Sequence, residues 1–204
     1  SADIVRQMPH ETGLFKVVDA SWRGIMSAAS EDKTAVAVTQ AINLLESLRE
    51  CHDHLEVVQK GLNDYLESKR RAFPRFYFLS NDDLLEIIAQ TKDPTRVNPH
   101  IKKAFEGIQS LEFQADKKVT AMISPEKELV PMATTVDPEK ARGRVELWLA
   151  EVEAAMAETV RSLLDHSHQD MQCRRFTEWL KYWPGQVVIA NFCLYWTDKV
   201  GTAL

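Results

Sequence analysis

The sequence predicts a mostly α-helical protein: an elongated stack of helical bundles with a small antiparallel β-meander inserted near residues 111–132. Three observations carry this. Apolar residues recur at three- and four-residue spacing through two long stretches, 36–70 and 142–164, as one face of a helix requires. No Pro interrupts the first stretch. Between the two stretches the apolar period shortens to two, the mark of half-buried strands.

In the first stretch, Val38, Ala41, Leu45, Leu48, His52, Leu55, Val58, Leu62 and Tyr65 fall on one face. Read as a single helix from Val36 to Arg70, it reaches roughly 50 Å at ~1.5 Å per residue. Gly61 is its one weak point, so two helices with a bend there are the alternative reading. The charged end Lys69-Arg70-Arg71 is stopped by Pro74, and Phe76-Tyr77-Phe78 then suits a buried strand. Ser80 can cap a short helix over 82–90, with Asp83 three residues on as the reciprocal capping acid. Asp93-Pro94 and Asn98-Pro99 are turn signals, and Pro99 fits the first turn of a helix through Ile108.

Leu111 and Phe113, then Val119, Ala121 and Ile123, then Leu129 and Met132 alternate with polar residues. Breaks at 114–118 and 124–127 separate them into three strands. Asp137-Pro138 starts the second long helix, a capping side chain followed by Pro at the first helical position. Its apolar face runs from Val145, Trp148 and Leu149 through Val152, Met156 and Val160 to Leu163 and Leu164. Glu146, Glu151, Glu153 and Glu158 make an acidic outer face. A further helix holds Phe176, Trp179 and Leu180 before Trp183-Pro184-Gly185 breaks it. The last, from Gln186, is apolar around much of its circumference, which predicts burial by packing partners.

Composition narrows the function classes. The 204 residues are 45% hydrophobic and 27% charged, ordinary for a folded chain. A net charge of −5 and a pI near 5.7 argue against a polyanion-binding domain. The most apolar run, 187–196, is far shorter than the ~20 residues a membrane helix needs. Cys51, Cys173 and Cys193 are an odd number with no CxxC spacing, and reduced thiols in the cytosol are the natural reading. The first residues show no signal-peptide core, and both ends read as cut from a longer chain.

No catalytic, cofactor or metal constellation emerges. Cys51, His52 and His54 gather ligand atoms, but residues two apart on a helix face different ways. His52 reads as a core histidine on the apolar face. His166 and Asp170 are four apart but supply only two ligands. Lys69, Arg70, Arg71 and Arg75 among Phe73, Phe76, Tyr77 and Phe78 resemble a base-stacking platform, yet buried aromatics after a basic helix end are the simpler reading. No phosphate-binding glycine loop is present.

Several multi-residue motifs resemble dynein heavy chains. Lys69-Arg70 with Phe73-Pro74-Arg75-Phe76-Tyr77-Phe78-Leu79-Ser80-Asn81 is similar to the family's KR-x-x-FPRFYFLSND segment. The opening Ser1 to Pro9 with Trp22-Arg23-Gly24-Ile25-Met26, the run Leu62-Asn63-Asp64-Tyr65-Leu66-Glu67, and Trp183-Pro184-Gly185-Gln186-Val187-Val188 with Tyr195-Trp196-Thr197 continue it in order. The Leu79-Ser80-Asn81-Asp82 wording and Lys92-Asp93-Pro94 are closer to axonemal, inner-arm types, and residues 114–136 depart most from the pattern.

What the resemblance implies is the C-terminal half of the linker. Residues 1–110 would be its helical part, and 111–204 a meander plus long helices leading toward the first AAA+ module. Such a piece is a mechanical lever with no catalysis of its own. It bends and straightens across the ring as the ring uses ATP and Mg, and the parent motor acts on microtubules in the axoneme of a cilium or flagellum. Its partner would be the AAA+ ring of the same heavy chain, with no nucleic acid and no membrane. Trp183, Pro184 and Gly185 would form the joint toward the ring, and Phe73, Pro74, Arg75, Phe76, Ser80 and Asn81 structural positions. A free-standing helical scaffold is the alternative.

Overall fold

The computed structural model describes residues 2–31, 34–40, 43–89 and 93–203. The chain opens with α1 (Ala2–Gln7) and α2 (Pro9–Glu31), which packs along α4 (Leu44–Ala72). The two approach closely at Gly61, where an added Cβ would lie 2.7 Å from Glu11 Cγ.

The long first helix is not continuous from Val36. A short α3 (Ala35–Thr39) comes first, and Asn43 takes a left-handed conformation, φ 63°, before α4 begins. Asn is among the side chains that tolerate this region best, so it can stop a helix without glycine. Ala41 lies outside the described residues. From Leu44 the helix passes through Gly61 without a break. Its apolar face is also not what spacing predicts at four positions. His52 is exposed, with Nε2 3.5 Å from Glu56 Oε1, and Leu45, Leu48 and Leu55 are exposed as well.

The aromatic run is a 3-10 helix, Pro74–Phe78, and not a strand. Pro74 sits at its first position, where a fixed φ suits a helical start. Burial explains the choice. Phe73, Phe76 and Leu79 are buried, whereas Tyr77 and Phe78 are exposed. That period of three is the 3-10 period, and a strand would have buried every second residue.

The Ser80 cap forms as the sequence requires. The Asp83 amide donates to Ser80 Oγ at 3.1 Å, and the Ser80 amide to Asp83 Oδ2 at 3.3 Å, at the head of α5 (Asn81–Ala89). A 3-10 turn, Pro94–Val97, leads into α6 (Asn98–Ala104). This helix is shorter than its Pro99 start suggested. Phe105 is already extended, and Gly107 takes φ 79°, which ends it before Ile108.

The meander is present among the described residues as β1 (Ser110–Phe113), β2 (Val119–Ile123) and β3 (Leu129–Val136), antiparallel in the order β1-β2-β3. Leu111 pairs with Met122, and Ile123 with Leu129. The sheet lies on α7 (Val145–Met171) through β3. Thr159 fastens the two, accepting from the Ala133 amide at 2.9 Å while donating to the Ala155 carbonyl at 2.6 Å.

Asp137-Pro138 opens a 3-10 turn, Pro138–Ala141, and not α7 itself. Arg142 (φ 50°) and Gly143 (φ 82°) break the path before α7 starts at Val145. The acidic outer face is corrected at one residue, because Glu146 is buried. Two further helices follow, α8 (Phe176–Tyr182) and α9 (Gly185–Ala203). α9 packs on α7, burying Val187 and Asn191, but Ile189, Phe192, Leu194, Tyr195 and Trp196 are exposed in this chain. The burial that its composition predicts is therefore absent along most of its length among the described residues.

One hydrophobic core joins the parts. It runs from Leu66 and Phe73 through Leu84 and Ile101 to Val119, Trp148 and Val152, on both sides of residue 110. At its edge the Lys69 ammonium meets Glu146 Oε1 at 2.7 Å, both side chains being only 9% exposed. Glu146→Ala strands an unpaired ammonium there, and about 3–5 kcal/mol of stability should be lost. Urea denaturation measures this, and the double variant Lys69→Met/Glu146→Leu should recover most of it. A Glu146→Ala chain as stable as the parent contradicts the assignment.

Candidate functional site

Two groups of residues stand out, one where α4 turns into α5 and one where α8 turns into α9. At the first, Phe73 and Phe76 pack edge to face with centroids 5.0 Å apart. The Arg75 guanidinium lies 4.7 Å from the Phe105 ring centre. It donates to Glu153 of α7 at 2.8 Å and to the Ala104 carbonyl at 3.1 Å. One arginine therefore ties the 3-10 turn to α6 and α7.

Arg70 performs the local closure. Its guanidinium donates to Asn81 Oδ1 at 2.8 Å and to the carbonyls of Leu79 and Phe76 at 3.3 and 3.4 Å. It adds a second donor to the Phe76 carbonyl, which already accepts from the Leu79 amide at 3.1 Å, and ties the end of the turn to the head of α5. Ser80, Asn81, Arg75, Phe73 and Phe76 are thus brought together, with Pro74 shaping the turn. Lys69, Arg75 and their acids Glu146 and Glu153 were not singled out as ion pairs by sequence reading. Their partners lie 77 and 78 residues away for Lys69 and Arg75. No local pattern reports such pairs.

The basic-aromatic cluster spends its charge internally. Besides the pairs above, Arg71 Nε lies 3.6 Å from Glu67 Oε1, and Tyr77 donates to Glu67 at 2.6 Å. That hydrogen bond to a carboxylate raises the Tyr77 phenol above its ordinary value.

The Ser80 cap carries the clearest electrostatic signature. The Lys103 ammonium, 2.8 Å from Asp83 Oδ2, and then the Ser80 hydroxyl hold the Asp83 carboxyl at about 2, below its ordinary 3.8. Buried His100 from α6 faces the same turn, Nδ1 3.3 Å from Asp83 and Nε2 3.5 Å from Glu86.

At the second group, Trp183 is extended between α8 and α9. Its indole N–H donates to Asp170 Oδ2 at 2.8 Å, and Arg174 Nε donates to the same oxygen at 2.7 Å. The Arg174 guanidinium sits 4.3 Å over the Tyr182 ring, which packs edge-on against Trp183. From the other side, the Gly185 amide donates to both Glu128 oxygens, at 3.0 and 3.3 Å. Glu128 ends the turn between β2 and β3, so the meander supplies an acid to the head of α9. Gly185 has no left-handed backbone, and a Cβ there would sit 4.0 Å from Glu128 Oε2. The close of a kink therefore does not depend on glycine.

The metal-like pairs are not assembled. His166 Nδ1 contacts Ser162 Oγ at 3.4 Å, while Asp170 is committed to Arg174 and Trp183. No group of three metal-capable side chains exists among the described residues. The first group fixes helices to each other, and the second fixes the angle between consecutive helices.

Comparison with known proteins places the chain beside much longer heavy chains. The family described as dynein heavy chain, N-terminal region 2, matches residues 1–167. Mouse dynein axonemal heavy chain 3 is 46% identical over all 204 residues, covering 5% of that heavy chain. Mouse dynein axonemal heavy chain 12 is 45% identical over 199 residues, 98% of this chain and 6% of the relative. Human dynein axonemal heavy chain 1 is 44% identical over 204 residues, 5% of its length. The chain thus spans about one twentieth of the relatives it matches.

Two outcomes follow from the geometry. A carboxyl whose pKa is depressed by folding stabilises above its unfolded-state value and loses that contribution as pH falls through the folded one. The melting temperature should therefore fall as pH drops from 3.8 toward about 2, and Asp83→Asn should flatten that stretch. An unchanged slope in Asp83→Asn counts against the cap. Gly185→Ala should leave stability within about 0.5 kcal/mol, since neither space nor backbone angle opposes a methyl. A large loss by thermal melting would contradict the ordinary backbone at this position.

Proposed function

The chain belongs to the dynein heavy chain family, and from that membership we propose that it is the C-terminal half of the linker of an axonemal heavy chain of inner-arm type. It is a mechanical element that carries the motion of an AAA+ ring and performs no catalysis itself. The ring of the same heavy chain is its partner and holds the ATP and Mg. The parent motor works on microtubules in the axoneme of a cilium or flagellum. The axonemal names of the relatives support that location.

The observation that carries the lever reading is the bracing of two long helices. α4 and α7, 29 and 27 residues long, are tied by the buried Lys69–Glu146 pair, and Arg75 ties the turn that follows α4 to Glu153 of α7. A rod of this kind resists bending, since a helix yields only where its ladder is broken. The body then ends in a different kind of contact. α9 is set on it through Trp183-Pro184-Gly185, held at both ends by single carboxylates, Asp170 and Glu128. Few-residue connections of this sort absorb backbone change while their neighbours stay rigid. We take 183–185 as the joint toward the ring, and the bare apolar side of α9 as the surface that seats there.

Gln59→Pro tests the reading. It lies mid-helix in exposed α4, where Pro costs about 3 kcal/mol of local helix. In the intact heavy chain, microtubule gliding velocity should fall while ATP turnover is retained. Loss of both in parallel, or of neither, would remove the lever role.

A further inference from the structure

We propose that Thr177 is a phosphoacceptor for an arginine-directed serine/threonine protein kinase, and that its phosphate loosens the 183–185 joint by drawing Arg174 away from Asp170. The first half stands on its own, and the second rests on the joint reading above.

Residues 174–177 read Arg-Arg-Phe-Thr, with guanidinium groups three and two residues before a hydroxyl. Kinases that select basic substrates read this charge pattern through acids in the substrate groove. The structure leaves most of the pattern open to solvent, with Arg174 half-buried against Asp170 and Tyr182. Thr177, Arg175 and Phe176 are exposed, as are Gln172 and Cys173 before them. Arg175 makes no ion pair among the described residues, so its charge is free for recognition. The Thr177 hydroxyl is likewise uncommitted, whereas Thr12, Thr39, Thr159, Thr197 and Thr202 each donate back to a carbonyl of the preceding turn.

The surroundings allow a kinase to take up the segment. Arg174 and Arg175 precede α8, and α8 has seven residues, of which Trp179 alone is buried. Short helices with so little burial open locally far more readily than the body they rest on. In the transfer, Thr177 Oγ1 attacks the γ-phosphorus of ATP, the bond to the bridging oxygen breaks, and ADP leaves. The hydroxyl proton passes to the kinase's base.

The consequence is electrostatic. Arg174 is the cation on Asp170 at 2.7 Å, and Asp170 also holds the Trp183 indole. A phosphate brings up to two negative charges and three strong acceptors within three residues of Arg174. It competes for that guanidinium at close range, and Asp170 then keeps only the indole. The segment after α8 loses part of what fixes it.

The intact heavy chain is incubated with the catalytic subunit of cyclic-AMP-dependent protein kinase and Mg-ATP, and phosphopeptides are read by mass spectrometry. Phosphate on Thr177, lost in Thr177→Ala and reduced at least several-fold in Arg175→Gln, is expected. An unmodified Thr177 overturns the assignment, whether or not a peptide of residues 170–181 is modified alongside. Amide exchange over 176–185 should be faster in the phosphorylated chain. Unchanged exchange overturns the effect on Arg174. Neither readout uses motility, so failure of the lever reading is distinguishable from failure of this one.

Discussion

The buried contact between Lys69 and Glu146 is the constraint on which the rest of the body depends. Removing two charges from water is costly, and only good geometry repays it. At 2.7 Å, with the Tyr65 ring 5.3 Å from the ammonium, the pair is satisfied in one relative placement of α4 and α7 only. Apolar packing alone would accept neighbouring registers at small loss, because hydrophobic burial has no direction. A paired charge does not. It fixes which turn of α4 lies against the first turn of α7, and the core from Leu66 to Val152 closes around that choice.

Arg75 repeats the device one turn of chain later. Its bonds to Glu153 and the Ala104 carbonyl, with the Phe105 ring under its guanidinium, join three elements through one planar group. Lys could not replace it, since a single ammonium cannot serve the fork and the ring together. The two cations thus set both ends of the contact between α4, its following turn and α7. Stiffness over this span is a property of these few directional contacts added to the helices' own ladders.

The joint is built on the opposite logic. α8 meets the body through one buried side chain, Trp179, and α9 through two, Val187 and Asn191, and both through carboxylates that sit near the surface. Surface hydrogen bonds to charge are modest in water, so their loss changes an angle without unfolding the core. The head of α9 depends on Glu128, which arrives from the meander.

The sequence by itself determined the bodies of the helices from α4 onward, the meander with its three strands, the Ser80–Asp83 cap and the family motifs, but it did not mark α1 or α2. Each is a local property: a period, a capping side chain, or a word of adjacent residues. It left undecided where α4 begins, because Asn43 stops a helix that periodicity would continue. It also mistook Phe76-Tyr77-Phe78 for a strand, since an aromatic run favours strands until Pro74 and a three-residue burial period impose a 3-10 turn. Glu146 and His52 exchanged places for one reason: helical phase gives a face, but which face is buried depends on what packs there. The pairs Lys69–Glu146, Arg75–Glu153 and Glu128–Gly185 lie 57 to 78 residues apart in sequence, and only the tertiary structure could decide them. Charge leaves no periodic trace of its partner, so the fold alone brings it there.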